Sequence, residues 1–536
     1  MINMRLNGRI VVVLAIPLLA GIAACGKDFL VENPKNIITA ENLYTNLAGF
    51  DAGLNAVYAQ VRREHQGRSG TNELFQEPFM LGTDMGYANY VSTTERIFNE
   101  WGARNNPSAD VYNDLWLWLY QIINASNTII DRAENPSVAW SPAEKIRVLG
   151  EARLLRAWAY RHLVYSFGAV PLMLHESTGD NIRYDWQRTP VTEIRAQMES
   201  DLLFAEANLP LVPPSDGRVG KAVAQHYLAE LYLAMGDPVK ADTMASRVIN
   251  SGVYHLITAR YGTKASQPGV PFMDQFQDGN ATRSQGNTET LWTFLYAKGI
   301  PGGGASITRR YWVNRYYNNK GVAVSEENGG RGIGRMTPTR WSLGIYEPTD
   351  DRGSYFAIRK FYLYNDAANL PTGKKLGDTL KTRILARQKI NDALWPTTRK
   401  WDYTDPTNIS GDEGYKDEPY LRLADTYLLL AEAQRKEGLP DLAAATINIV
   451  RARSNASAIT AAQVTLDFIL DERAREFMGE EERRETLIRT GTLLPRIRAY
   501  NDTASKTIVE RDTIFPIPQV VIDANTARVM EQNPGY

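Results

Sequence analysis

Apolar residues along this chain fall into a helical rhythm in two separated stretches, with a long irregular stretch between them. Leu43, Leu47, Phe50, Leu54, Val57 and Val61 recur every three or four positions, the spacing of one face of a helix. Leu115, Leu119, Ile122, Ile123, Ile129 and Ile130 predict a second helix over about 110–135. A third, over 145–167, carries Leu149, Ala152, Leu155, Ala159 and Leu163 on one stripe, and a fourth spans about 191–209. Between the first two helices, residues 64–109 are rich in Gly, Asn and Ser and predict a long loop region, a kind of segment that tends to carry function.

Gly220 opens a helix with Ala224, Leu228 and Leu231 that stops at Gly236-Asp237-Pro238, and its partner carries Ala241, Ala245 and Val248. The same unit returns over 420–453, broken at Gly438-Leu439-Pro440-Asp441. A helix, a Gly-containing turn and a second helix with small residues at the crossing points match tetratricopeptide-like hairpins. The repeats are degenerate and far apart, so a regular solenoid is not expected. Over 254–415 the periodicity fades into Gly, Pro, Asn and aromatics, which predicts a loop-rich insertion packed on the helical scaffold. The tail from Phe515-Pro516-Ile517-Pro518 onward is proline-punctuated and expected to lie extended along the body.

The N-terminus has a different pattern. Arg5 and Arg9 precede an apolar run from Ile10 to Ala24, shorter than the roughly 20 residues a membrane-spanning helix needs. It ends in Ile22-Ala23-Ala24-Cys25, a lipobox, and Cys25 is the sole cysteine of 536 residues. Residues 1–24 are therefore expected to be a cleaved lipoprotein signal, Cys25 the lipidation site and 25–40 a tether to the membrane. An ordinary secretory signal is the alternative. Net charge is −1, two units more negative once the leader is lost, which gives no footprint for nucleic acid. Without disulfides, stability must come from the core.

Several constellations argue against catalysis. His65, His162, His175, His226 and His255 show no metal-ligand spacing, no nucleophile elbow occurs, and the Gly302–Gly304 run lacks a following Lys-Ser/Thr. No catalytic residue, metal or cofactor is expected. Asp350-Asp351 could in principle serve a glycosidase, but beside Arg352 they predict a solvated turn. The charge run 471–484 predicts the solvated face of a helix whose inner side carries Leu470, Ala474 and Phe477.

Aromatics are abundant, with 27 Tyr and 11 Trp. Tyr311, Trp312, Tyr316, Tyr317, Trp341 and Tyr346 lie in the insertion among Asn, Arg and Asp; Asp84, Tyr87, Asn89, Tyr90 and Trp101 lie in the early loop. Sugar recognition needs flat aromatic platforms with amide or guanidinium donors, so these eleven are the candidate ligand contacts. Core packing of a loop-rich region is the competing account of each.

In order along the chain, Cys25-Gly26-Lys27-Asp28-Phe29-Leu30, Glu151-Ala152-Arg153-Leu154-Leu155-Arg156-Ala157, Phe167-Gly168-Ala169-Val170-Pro171-Leu172, Arg188-Thr189-Pro190, Gly217-Arg218-Val219-Gly220-Lys221, 421–433 and the closing Gln532-Asn533-Pro534-Gly535-Tyr536 resemble the SusD/RagB family of outer-membrane nutrient-binding lipoproteins. The chain departs from that pattern at Arg483-Arg484-Glu485-Thr486-Leu487, where the family usually has an aromatic followed by Asp-Leu. The resemblance implies a mainly α, SusD-like fold over 41–536, with helical scaffold over 41–253 and 416–500 and a ligand-facing insertion over 254–415. It also implies a non-enzymatic, lipid-anchored lid at the cell surface of the outer membrane. Such a lid captures oligosaccharides or other nutrients and passes them to a SusC-like TonB-dependent transporter. A lipidated helical scaffold that binds another envelope protein and no small molecule is the alternative.

Overall fold

The structure, a computed structural model, describes residues 39–68, 73–90 and 93–536. The leader, Cys25 and the tether up to residue 38 lie outside the described residues. The helical rhythm of the first half becomes α1 (Leu47–Arg62), α2 (Thr93–Glu100), α3 (Asp110–Arg132), α4 (Pro142–Phe167), α5 (Val191–Asn208), α6 (Lys221–Met235) and α7 (Pro238–Ile249). Local chemistry sets the ends. Ser141 Oγ accepts from the Glu144 amide at 3.3 Å while Glu144 accepts from the Ser141 amide at 2.7 Å, a capping box with Pro142 in the first turn. At the α6–α7 corner Gly236 has φ +83°, and Asp237 accepts from the Lys240 amide at 3.1 Å to start α7.

The second hairpin, α8 (Leu423–Lys436) and α9 (Pro440–Arg453), joins the first in space. α8 packs on α7 and α6, so the stack runs continuously from α4 to α9 despite the long gap in sequence. Ala222, Ala229, Ala241, Ala245, Ala424, Ala431 and Ala443 are all fully buried, and their small side chains let the helices approach closely. The chain closes with α10 (Leu466–Glu476), α11 (Arg483–Arg489) and α12 (Leu493–Tyr500). The unusual run at 483–487 is thus an ordinary buried helix turn. Two expectations need adjusting. Residues 64–109 hold α2 and the strand β1 (Gly86–Ala88) as well as loops, and the tail, with Phe515 and Ile517 fully buried, includes a helical segment at Gln519–Ala524.

The insertion is closed at its neck by strands. β2 (Thr290–Phe294) pairs antiparallel with β6 (Glu418–Arg422), β1 with β3 (Met336–Pro338), and β4 (Phe361–Leu363) with β5 (Thr379–Lys381). The first pair matches Thr290 with Arg422 and Phe294 with Glu418, so the chain leaves and re-enters the scaffold side by side.

The charge run after Leu470 is not solvated. Leu470, Ala474 and Phe477 do face inward, but Glu472, Arg473, Glu476, Glu481, Arg483 and Arg484 are buried too. Asp350 and Arg352, expected in a solvated turn, are equally hidden. Periodicity cannot separate a charge facing water from a charge facing a partner, and partners are present here. Arg352, from the insertion, meets Asp350 at 2.8 Å, Glu472 at 2.8 Å and Glu476 at 3.1 Å. Arg422, from β6, reaches Glu476 at 2.9 Å and Glu480 at 2.7 Å. Arg453, at the end of α9, pairs with Glu476 and with Glu289 at 2.9 Å. Burial pushes the Glu476 carboxyl up, but the guanidiniums of Arg453, Arg422 and Arg352 outweigh it and hold it far below the ordinary carboxylate range.

Removing one member of a buried charge cluster strands the others, at a cost of about 3–5 kcal/mol. Glu476→Gln is expected to lower stability by about that amount in urea unfolding at neutral pH. A carboxyl with a depressed native pKa stabilises above its usual value of 4.5 and loses that contribution as pH falls. The gap between wild type and variant should therefore narrow below that pH. A loss under about 1 kcal/mol would contradict the role given to Glu476.

Candidate functional site

Seven of the eleven candidate contacts are interior side chains. Asp84 is fully buried and accepts from Arg483 Nε and Nη2, each at 2.8 Å, and from Arg496 Nε at 2.6 Å. Asn89 donates to the Gly334 and Asp392 carbonyls at 3.1 and 3.3 Å. Tyr311 donates to Glu77 at 3.1 Å and accepts from the Leu74 amide at 2.8 Å. Tyr316 donates to the Gly330 carbonyl at 2.8 Å and stacks on Tyr362 with centroids 4.5 Å apart. Tyr87, Trp101 and Trp312 are also buried, and burial raises the Tyr87 hydroxyl to about 12. An insertion with little regular structure fills its interior with large rings, and a buried ring offers no face to a ligand.

Tyr90, Tyr317, Trp341 and Tyr346 remain half-buried. They do not converge on one point. Trp341 stacks on Tyr500 at 4.4 Å beneath Arg496. Tyr346 donates to the Arg475 carbonyl at 3.2 Å, and Tyr317 donates to the Gly332 carbonyl at 2.8 Å. Tyr90 lies under Arg315 at 4.7 Å and Arg335 at 5.2 Å.

The insertion does form a cleft, of about 410 Å³, from residues that sequence reasoning had not singled out. Phe356 and Tyr403 supply aromatic surface, with Tyr355 44% exposed against Phe356 at 4.0 Å and Ile409 47% exposed at the edge. Gln277, Asp278, Thr404 and Arg399 supply polar atoms, and the Thr404 hydroxyl is buried without a partner. Lys264 and Glu326 close one side as an ion pair at 2.9 Å. Arg399 is held in place by Asp402 at 3.0 Å and by the Tyr355 carbonyl at 3.0 Å. The volume lies within the usual range for small-ligand sites. An enclosed space of about 30 Å³ beside Arg161, Glu230 and Tyr420 has room for water only.

Tyr403 also links the cleft to a strip of arginines, since its amide donates to the Gly329 carbonyl at 3.3 Å and Gly330 lies against both Tyr403 and Arg309. Residues 308–317 run alongside 329–336, with the Ile333 and Gly334 amides donating to the Arg310 carbonyl at 2.9 and 3.1 Å. That register gathers Arg309, Arg310, Arg315, Arg331 and Arg335. Arg310 and Arg331 share Asp412, Arg335 pairs with Glu95, and Arg309 donates to the Gly411 and Glu413 carbonyls at 2.8 and 3.3 Å. Burial lowers Arg309 to about 10, and burial with the neighbouring Arg331, Arg335 and Arg309 does the same to Arg310. Tandem Tyr355-Phe356 and the Arg399…Tyr403 segment were visible in sequence, but nothing in their spacing marks them as outward-facing.

Two family models match the chain. One, described as the SusD family, covers residues 272–536; the other, described as starch-binding and associating with the outer membrane, covers 28–233. The starch-binding protein SusD of Bacteroides thetaiotaomicron is 28% identical over 467 residues, 80% of each chain. Among solved structures, a SusD homologue from the same species superposes with a TM-score of 0.73 at 19% identity, covering 93% of this chain and 98% of that one. A laminarin-binding SusD-like protein superposes with a TM-score of 0.68 at 21% identity, covering 92% and 100%. The structural likenesses bear out the mainly α, SusD-like fold.

The cleft wall is tied to the scaffold by Lys416, a fully buried ammonium whose three protons go to the carbonyls of Phe276 at 2.9 Å, Lys400 at 2.8 Å and Asp402 at 3.0 Å. Lys416→Met orphans three buried carbonyls and is expected to cost about 2–4 kcal/mol in urea unfolding. A variant as stable as wild type would show that this tie is dispensable.

Proposed function

The chain belongs to the SusD/RagB family, and from that premise we propose that it is a glycan-binding lipoprotein without catalytic activity. It is anchored through Cys25 to the outer membrane and exposed at the cell surface. Its task is to capture oligosaccharides and hand them to a SusC-like TonB-dependent transporter. The observation that carries the binding role is the insertion cleft, where the rings of Phe356 and Tyr403 stand beside Arg399, Gln277 and Asp278. A sugar presents C–H faces to rings and hydroxyls to such polar groups. The starch- and laminarin-binding relatives support the ligand class.

Two further features support the transporter reading. The insertion leaves the scaffold through one neck, so its cleft can face the medium while the helical stack faces a partner. Val239 of α7 and Leu442 and Ile449 of α9 are exposed apolar side chains on that stack. A tether from Cys25 would keep the lid beside its transporter and leave it free to swing.

Calorimetric titration of the purified protein with neutral and charged oligosaccharide panels tests the binding role. At least one glycan should bind, and Phe356→Ala or Tyr403→Ala should weaken it by about three- to tenfold, the worth of one ring contact. Binding untouched by both substitutions would remove the cleft from the account. No binding across the panels would favour a helical scaffold for another envelope protein.

A further inference from the structure

We propose that the captured glycan is anionic, with its carboxylate or sulfate groups held by the arginine strip around Tyr90. This inference rests on the glycan-binding reading and narrows it. The chain as a whole is nearly neutral, with 60 basic and 61 acidic side chains, so a strip of arginines is a local feature. Of the five guanidiniums, three make ion pairs, Arg310 and Arg331 with Asp412 and Arg335 with Glu95, while Arg309 donates to backbone carbonyls.

The other acids nearby do not correct the imbalance. Asp405, which faces Arg309, is taken by Lys298 at 2.5 Å. Glu77, which faces Arg335, has its carboxyl pushed well up by burial and then by Glu95, which disfavours its charged form. Arg315 is half-buried over the Tyr90 ring and has no carboxylate partner among the described residues. Arg309, Arg310 and Arg335 are themselves buried, so Arg315 and the partly exposed Arg331 are the two guanidiniums of the strip that a ligand can reach.

Hydrogen-bond chemistry points the same way. A neutral sugar offers hydroxyls that donate as well as accept, whereas guanidinium only donates. A strip of donors with surplus positive charge fits groups that only accept, and a carboxylate or sulfate matches the guanidinium fork in shape and charge. Tyr403, next to both strip and cleft, would let one chain place its rings on Phe356 and Tyr403 and its acidic groups on Arg315 and Arg331.

The test compares the purified protein with oligogalacturonate, with a sulfated galactan oligosaccharide and with the desulfated galactan, using inorganic sulfate as a simple-ion control. One or both anionic oligosaccharides should bind at least about tenfold more tightly than the neutral one, and the arm that binds identifies carboxylate or sulfate. Raising the salt from about 50 to 500 mM should weaken that binding. Arg315→Ala should weaken it by about tenfold or more, the worth of a charge-assisted bond, with partial recovery in Arg315→Lys. Arg315 holds no structural ion pair, so the unfolding midpoint should not move; if it does, Arg331→Ala serves as the second variant. Neutral glycans bound as tightly as charged ones, with Arg315→Ala silent, would overturn the anionic reading and leave the glycan reading standing. Inorganic sulfate bound as tightly as the oligosaccharide would overturn it by showing a bare ion site. No binding of any oligosaccharide would overturn both readings.

Discussion

Glu476 lies where three parts of the chain that are distant in sequence must meet. Its carboxylate takes Arg352 from the insertion, Arg422 from the strand that ends the insertion, and Arg453 from the last helix of the stack. All four side chains are buried. In water each would keep its hydration shell, and inside the protein each is tolerable only because the others are in place. The cluster therefore behaves as a geometric condition on the fold. The insertion, the β2–β6 neck and the helical stack must adopt their relative positions together, or a charge is left buried and alone. Glu472, Glu480 and Glu289 extend the same condition to Arg451, Lys400 and the start of β2.

This arrangement explains how an insertion with little regular structure can hold a site. Short antiparallel pairs and single turns do not make a stable domain. Here the loops are filled with buried rings such as Tyr311, Trp312, Tyr316 and Trp401, and they are tied to the scaffold by arginine and lysine side chains that donate to loop carbonyls. Lys416 and Arg399 both end on the walls of the cleft. The cleft is thus positioned by the interior, with its loops as spacers. A preorganised site loses less entropy on binding than a mobile one.

The helices were legible in the sequence because burial on one face imposes a period, as in α3 and α7. α4 and α6 are buried nearly all round, and there their leucine and alanine content and capping residues marked them. The turn at Gly236-Asp237-Pro238 was legible for the same kind of reason, since only glycine is easy at that φ and only a short polar side chain caps the next helix. The docking of α8 on α7 was not, because no local pattern encodes a contact across so long a gap. The run 471–484 looked like a solvated face because it is dense in charge, yet Arg473, Glu472, Glu476 and Arg483 pair with residues far away in sequence. The proposed ligand face was half legible. Its location in the insertion followed from the loss of periodicity, but a tyrosine in a loop looks the same whether it turns inward, as Tyr311 does, or outward, as Tyr403 does.

Native-state hydrogen exchange resolved by residue gives the most direct test of the claim that buried ion pairs fuse insertion and scaffold into one cooperative unit. Amides of β2, β6 and the 357–363 segment should exchange only through the same large-scale opening that exposes α6 and α8, with matching free energies. Exchange of the insertion through its own, much cheaper opening, while α6 and α8 stay protected, would contradict the account.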